Sequence, residues 1–319
     1  MKSINALTVG VVALTAILVG WAAVGSYRED DQFQDRDNLK RGSKLPVLWV
    51  FLNNSDVNSR SWYDYMGRSS RVINIPFLNL CYETIVKHNK THFRVEVISG
   101  LSDLAGRLGG WEALPEPLRN PDAFVKEPEL NWIRAAVLAK WGGLWVSPST
   151  LWIDGLKPLP KDKVVFFGMN TEETYATTTS VPALDVIWSP KPEHPVWMAW
   201  ELAVRERLNF RTGGSEFRHD ERSDFAETLK TFPDQIQIIR LPEISRKGAN
   251  RRRIELEDLI GATGSAHSTF EIPKDAAFLP IPLAELQQRE KFGWFLRMSE
   301  DQILESDMVI SHLFRKGLA

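Results

Sequence analysis

The chain has a single cysteine in 319 residues, Cys81. That excludes an intramolecular disulfide framework and any zinc site built on cysteine. Cys81 lies in the apolar stretch "FLNLCYETIV", where a small buried hydrophobe is expected rather than a nucleophile. Net charge is equally scarce. The 39 Lys and Arg against 41 Asp and Glu leave -2, so no bulk field draws in nucleic acid, and none is expected as a partner. The dense basic run "RKGANRRR", Arg246 to Arg253, has no interleaved aromatic residue and reads as a solvated loop. Also missing are a G-x-x-x-x-G-K-[ST] phosphate loop, a G-x-S-x-G elbow and an H-E-x-x-H helix, which removes support for an ATPase, a serine hydrolase or a zinc protease. There is no repeat of fixed period.

Long apolar runs are present. Ile4 to Gly25, "INALTVGVVALTAILVGWAAVG", is 22 residues without a charge, long enough as a helix to cross a bilayer core of about 30 Å. Residues 1–25 read as an N-terminal transmembrane anchor. A cleaved signal peptide is the alternative, since Ala23-Val24-Gly25 offers the small residues a peptidase needs. Lys2 precedes the span while Arg28, Arg36, Lys40, Arg41 and Lys44 follow it, which biases the body toward the cytoplasmic or matrix side. Sequons at Asn53 (Asn-Asn-Ser) and Asn89 (Asn-Lys-Thr) would permit glycosylation of a lumenal body. A single-pass membrane location is expected: Golgi or another endomembrane if secretory, an organelle membrane otherwise. Residues 26–44 are polar and charge-mixed, a solvated stalk.

The folded body then runs over 45–319. "LPVLWVFL" reads as a buried strand ended by Asn53-Asn54, and "IPFLNLCYETIVKHN" as a helix opened by Pro76. "HFRVEVISG" alternates like a strand, so the first two strands form a parallel pair around a crossover. "PELNWIRAAVLAKWGG" gives a helix with an apolar stripe at Leu130, Ile133, Val137, Leu138 and Trp141, capped by Gly142. "LWVS" and "VVFFGM" read as strands, "HPVWMAWELAVRERLNF" as a helix, and "QIQIIRLP" and "DMVISHLF" as later strands. The fold class is α/β, with ligands expected at the carboxyl ends of the strands. Most of the 12 tryptophans, Trp132 and Trp141 among them, are expected in the core.

The order "LWVFLNN", "IPFLNLCYETIVKHN", "RVEVIS", "LNWIRAAVLAKWGGLWVSPS", "LKPLP" and "DVIWSPKPEHPVW" resembles the capsular polysaccharide synthesis proteins and related glycosyltransferases with an Asp-x-Asp sugar-binding motif. The likeness covers most of 45–319. It implies a GT-A type, Rossmann-like mixed sheet flanked by helices that binds a nucleotide-sugar donor, a UDP- or GDP-sugar. In that family, carboxylates on the strand after Gly-Gly hold a divalent ion against the diphosphate. Residues i and i+2 of a strand point to one side, so two acids there reach one hard cation.

Here the acidic positions are Ser147 and Ser149, with Pro148 between them, and the Asp of Asp-x-x-Arg is Asn131 before Arg134. Neutral hydroxyls hold a divalent ion poorly, so no metal ligand is assigned and metal dependence is expected to be weak or absent. The resemblance places Asn131, Arg134, Gly142, Gly143, Ser147 and Ser149 at the donor, while Asn53 and Asn54, at the end of the first strand, border the ligand crevice as nucleotide contacts or ordinary turn residues. It gives Asp185 the acceptor-facing position, and Asp154 is a candidate replacement carboxylate. Arg134 with Lys157 or Lys161 could neutralise the diphosphate as fixed cations. His194, before Pro195, matches a structural His-Pro, while His312 in "SHLF" matches a late metal or diphosphate contact that lacks partners here. His88 and His92 have i, i+4 spacing but no glutamate for a zincin site. Two functions follow: sugar transfer to a hydroxyl of a glycan or glycolipid, or a catalytically inactive accessory or structural subunit of a membrane protein complex.

Overall fold

Along the central strands, side chains alternate between two apolar layers, and this period of two builds the molecule. Leu48, Val50 and Leu52 face one cluster while Trp49 and Phe51 face the other. The same split sends Leu144 and Val146 one way and Trp145 the other, Val165 and Phe167 one way and Val164 and Phe166 the other. A sheet buried on both faces must be covered by helices, as it is. The computed structural model describes residues 45–53, 75–173, 178–210, 221–239, 246–247, 252–261, 272 and 276–319. The segments expected to form the anchor and the stalk, Asn54, and residues 248–251, half of "RKGANRRR", lie outside these residues.

The elements run β1 (Val47–Leu52), α1 (Pro76–Asn89), β2 (Arg94–Ser99), α2 (Gly100–Leu108), α3 (Glu127–Trp141), β3 (Gly143–Val146), β4 (Thr150–Trp152), β5 (Val164–Phe167), β6 (Met169–Glu173), β7 (Thr178–Pro182) and β8 (Val186–Ser189). Then come α4 (Pro195–Phe210), α5 (Glu221–Thr231), β9 (Ile236–Ile239), β10 (Arg246–Lys247), β11 (Arg252–Arg253), α6 (Leu256–Ile260), β12 (Phe278–Pro280), α7 (Leu283–Gln288), α8 (Gly293–Leu296), α9 (Glu300–Glu305) and α10 (Val309–Leu318). Six strands form one mixed sheet in the order β2-β1-β3-β8-β5-β9. β1 pairs parallel with β2 and β3, as the strand, helix, strand order implies, and β5 pairs parallel with β9. β8 runs against both neighbours, β3 and β5, so every strand but β8 starts at the same end of the sheet.

α2, α3, α4 and α5 cover the Trp49 face, with Trp132, Trp197 and Trp200 fully buried there. α1, β4, β12 and α10 cover the other, where Cys81 is buried and burial pushes its thiol pKa well up. It is an inert core residue. Among the described residues no helix is long and apolar enough to cross a membrane.

Three expectations change. "DMVISHLF" is helical from Val309 onward, in α10, whose buried Val309, Ile310, Leu313, Phe314 and Gly317 recur with the spacing of one helical face. Trp141 is 48% exposed rather than core, because α3 ends there as the chain turns into the sheet. Asn89 is buried, and its amide donates to the Ile85 carbonyl at 2.9 Å, so this sequon is closed to glycosylation in the folded body.

Candidate functional site

β1 and β3 finish side by side, with Val50 opposite Val146, and β8 begins beside them, with Val186 opposite Val146. Asn53 follows Leu52, Ser147 follows Val146 and Asp185 precedes Val186, so topology alone brings these three to the carboxyl end of the parallel strands. A direct bond joins two of them: the Ser147 N–H donates to the Asp185 carbonyl at 2.7 Å. The strand expected over "LWVS" stops at Val146. Ser147 to Thr150 is a turn closed by the Thr150 N–H donating to the Ser147 carbonyl at 3.1 Å, with Pro148 at the second position, where its fixed φ fits. The Ser147 and Ser149 hydroxyl oxygens still lie on one side, 3.5 Å apart. The Ser149 carbonyl accepts from the Ile281 N–H at 2.9 Å, which fastens the turn to the segment after β12.

Two hydroxyls and a carboxamide can donate to and accept from sugar hydroxyls or phosphate oxygens, but they offer a hard cation no formal charge, which leaves Asp185 as the acid this end gathers beside them. Among the described residues no group of three or more His, Cys, Asp and Glu side chains is placed to hold a metal ion. His88 contacts the Gly317 carbonyl, His92 its neighbour Thr91, and His312 is held between Asp307 and Arg315. These histidines do not converge.

Arg134 is 4% exposed, and its Nη1 donates to Glu127 Oε1 at 2.7 Å and to Asn131 Oδ1 at 2.6 Å. An aspartate at 131 would give this guanidinium its counter-ion one turn away; with Asn131 there, Glu127 supplies the charge. The positive charge is thus engaged within α3. Glu127 was not singled out in the sequence, although it stands seven residues, two helical turns, before Arg134. Thr150, also unremarked, is fully buried with a hydroxyl that has no hydrogen-bond partner, and the hydroxyl run Ser147-Pro148-Ser149-Thr150 was its only signal.

The other sequence candidates sit at the starting end of the strands. Gly142 and Gly143 make the turn from α3 into β3, with φ of 63° and 97°. A Cβ on Gly143 would stand 2.3 Å from the Val47 carbonyl oxygen, and one on Gly142 would stand 2.7 Å from the Lys191 carbonyl carbon. Their lack of side chains serves packing. Asp154 is carried away from the serines by β4, which runs along α1: the Trp152 N–H donates to the Thr84 hydroxyl at 3.0 Å, and Gly155 lies against the His88 carbonyl near the end of α1. Five residues of extended chain span about 16 Å, too far for Asp154 and Ser149 to share one ion. Lys157 follows Gly155, and Lys161 follows Pro160, whose carbonyl accepts from Trp188 Nε1 at 2.8 Å. Neither lysine is brought to Ser147. His194 is buried at the head of α4, where Trp197 and Met198 N–H groups donate to its carbonyl, and burial followed by the nearby Lys191 charge lowers its pKa. Its position is structural.

No known family profile matches the chain, and no curated protein matches it. Among solved structures, a transferase bearing two cysteine-to-serine substitutions aligns with 60% of this chain and 86% of its own at 12% identity, with a TM-score of 0.33. The PaToxG glycosyltransferase aligns with 96% of this chain and 97% of its own at 13% identity, with a TM-score of 0.28. At these scores the likeness carries no argument about the chemistry of this chain.

Proposed function

We propose that the chain is a membrane-anchored, GT-A type glycosyltransferase-like protein that transfers a sugar from a UDP- or GDP-sugar to a hydroxyl of a glycan or glycolipid, with weak or no metal dependence. The observation that carries this reading is the meeting of Ser147, Ser149 and Asp185 at the carboxyl ends of the strands, with a hydroxyl pair where the resembled family has acids. Ser147, Ser149 and Asn53 hold the donor through neutral hydrogen bonds. Asp185 orients the acceptor hydroxyl. The bond from the anomeric carbon to the diphosphate oxygen breaks ahead of attack, giving an oxocarbenium-like state, and the acceptor oxygen bonds to that carbon on the same face while its proton passes to the departing phosphate. This route keeps the anomeric configuration, as the resemblance implies.

The test is a transfer assay on the full-length protein with labelled donors. Asp185→Asn is expected to lower kcat about a hundredfold while the donor KM stays put, the signature of a lost orienting contact. Wild-type rates in that variant would remove Asp185 from the reaction. The engagement of Arg134 by Glu127 favours one second reading, an inactive accessory or structural subunit of a membrane complex, because the Arg134 charge is then committed within α3 rather than offered to a departing diphosphate. Absence of turnover with every donor and acceptor is the outcome that reading requires.

A further inference from the structure

The starting end of the sheet, opposite the serines, has a chemistry of its own. Leu45, two residues before β1, is 40% exposed there, and Trp141 is 48% exposed at the end of α3. Trp141 is held in place: its ring centroid lies 6.4 Å from that of Trp49, whose indole N–H donates to the Gly142 carbonyl at 2.9 Å, and Lys140 Nζ stands 5.6 Å over the Trp141 ring. Lys90 precedes β2, Lys140 precedes β3, Lys157, Lys161 and Lys163 precede β5, and Lys191 follows β8, so topology gathers six lysines at this end. The acids at this end are Asp154, Asp162, Glu193 and, just before β9, Asp234, so the lysines remain in excess.

We propose that this end of the body rests on an anionic bilayer, with Trp141 and Leu45 at the headgroup boundary and the lysines over the lipid charges. A rigid indole beside lysine ammonium groups suits the lipid–water boundary, where one part of a side chain is apolar and the other wet. The place where the chain joins the body points the same way. Leu45 stands at this end, and 44 residues precede it, including the uncharged run from Ile4 to Gly25. The proposal rests on the membrane reading given above. Residues 26–44 are polar and charge-mixed in sequence, and a link of 19 residues ties this surface to the uncharged run before it, so weak individual contacts suffice. One consequence concerns the acceptor. A six-residue strand is about 20 Å long, so the serine end stands off the bilayer by at least that distance. An extended glycan reaches it; a short glycolipid headgroup does not.

The experiment uses the full-length protein reconstituted in vesicles of phosphatidylcholine alone and in vesicles rich in phosphatidylserine. Lysine acetylation is read by mass spectrometry, with exposed Lys126 at the opposite end as the internal reference. Phosphatidylserine is expected to protect Lys140 and Lys191 by about fivefold relative to Lys126, and high salt to abolish the protection. Equal reactivity in both vesicles overturns the proposal. Carbonate extraction tests the span separately: a protein that washes off loses its anchor, yet salt-sensitive protection of the same lysines before the wash still supports the docking face. Trp141→Ala should reduce the protection while the unfolding midpoint in detergent stays at its wild-type value, as expected for a half-exposed side chain.

Discussion

Gly143 has no side chain because the Val47 carbonyl occupies the space. With φ at 97° and 2.3 Å between that oxygen and any added Cβ, alanine there must distort β1 or β3. Gly143→Ala should cost about 2–3 kcal/mol, read as a lower urea midpoint at unchanged slope. The resemblance assigned both glycines to the donor, whereas the geometry shows a backbone crossing at the far end of β3. Sequence could flag the pair but not its reason, since the obstructing carbonyl is 96 residues away in the chain. Asn131 and Arg134 were singled out through the Asp-x-x-Arg resemblance as donor contacts, and the structure shows them bonded to each other one turn apart. His194 is legible as a structural His-Pro, and its lowered pKa adds a pH dependence. The unfolded imidazole titrates near 6.5 and the folded one lower, so the unfolded state takes up more protons as pH falls. Its contribution is full above pH 6.5 and is lost as pH falls through the folded pKa. Urea midpoints of wild type should decline from pH 7.5 to 5 more than those of His194→Asn.

Elements with local partners were legible, and those defined by distant partners were not. β1 is a short unbroken apolar run ended by Asn53, and α1, β2 and α3 each carry a pattern of period two or near 3.6 within their own span. β4 and β12 are three residues long and exist because they pair with each other, Thr150 opposite Pro280, across the chain. α10 misleads in another way: "MVISHLF" is rich in β-branched and aromatic residues, and in so short an apolar run helix and strand look alike. Burial on both α1 and β4 decides for helix. Gly317 is the contact point, where a Cβ would come 2.3 Å from the Trp152 carbonyl oxygen and 3.0 Å from Thr84 Cγ2. Gly317→Ala should therefore lift α10 from its seat and cost about 1–3 kcal/mol. Gly106→Ala, within α2 and with nothing within 4 Å of its Cβ, should instead gain up to about 1 kcal/mol. Thermal melts of the two variants, moving in opposite directions, check this.

At the scale of the whole molecule, one direction of strand travel sorts the candidate residues into two groups. Asn53, Ser147, Ser149 and Asp185 stand where the parallel strands finish; Gly142, Gly143, Asp154, Lys157 and Lys161 stand where they start. Linear order could not separate these groups, because β4 reverses the path within five residues of Ser149. The central claim is that the first group holds a nucleotide-sugar without a metal. The most direct measurement is a titration of the full-length, solubilised protein with UDP- and GDP-sugars, with and without manganese. The account predicts dissociation constants on the order of micromolar that manganese leaves unchanged and that Ser147→Ala weakens about fivefold. Binding that appears only with manganese, or no binding under either condition, would contradict it.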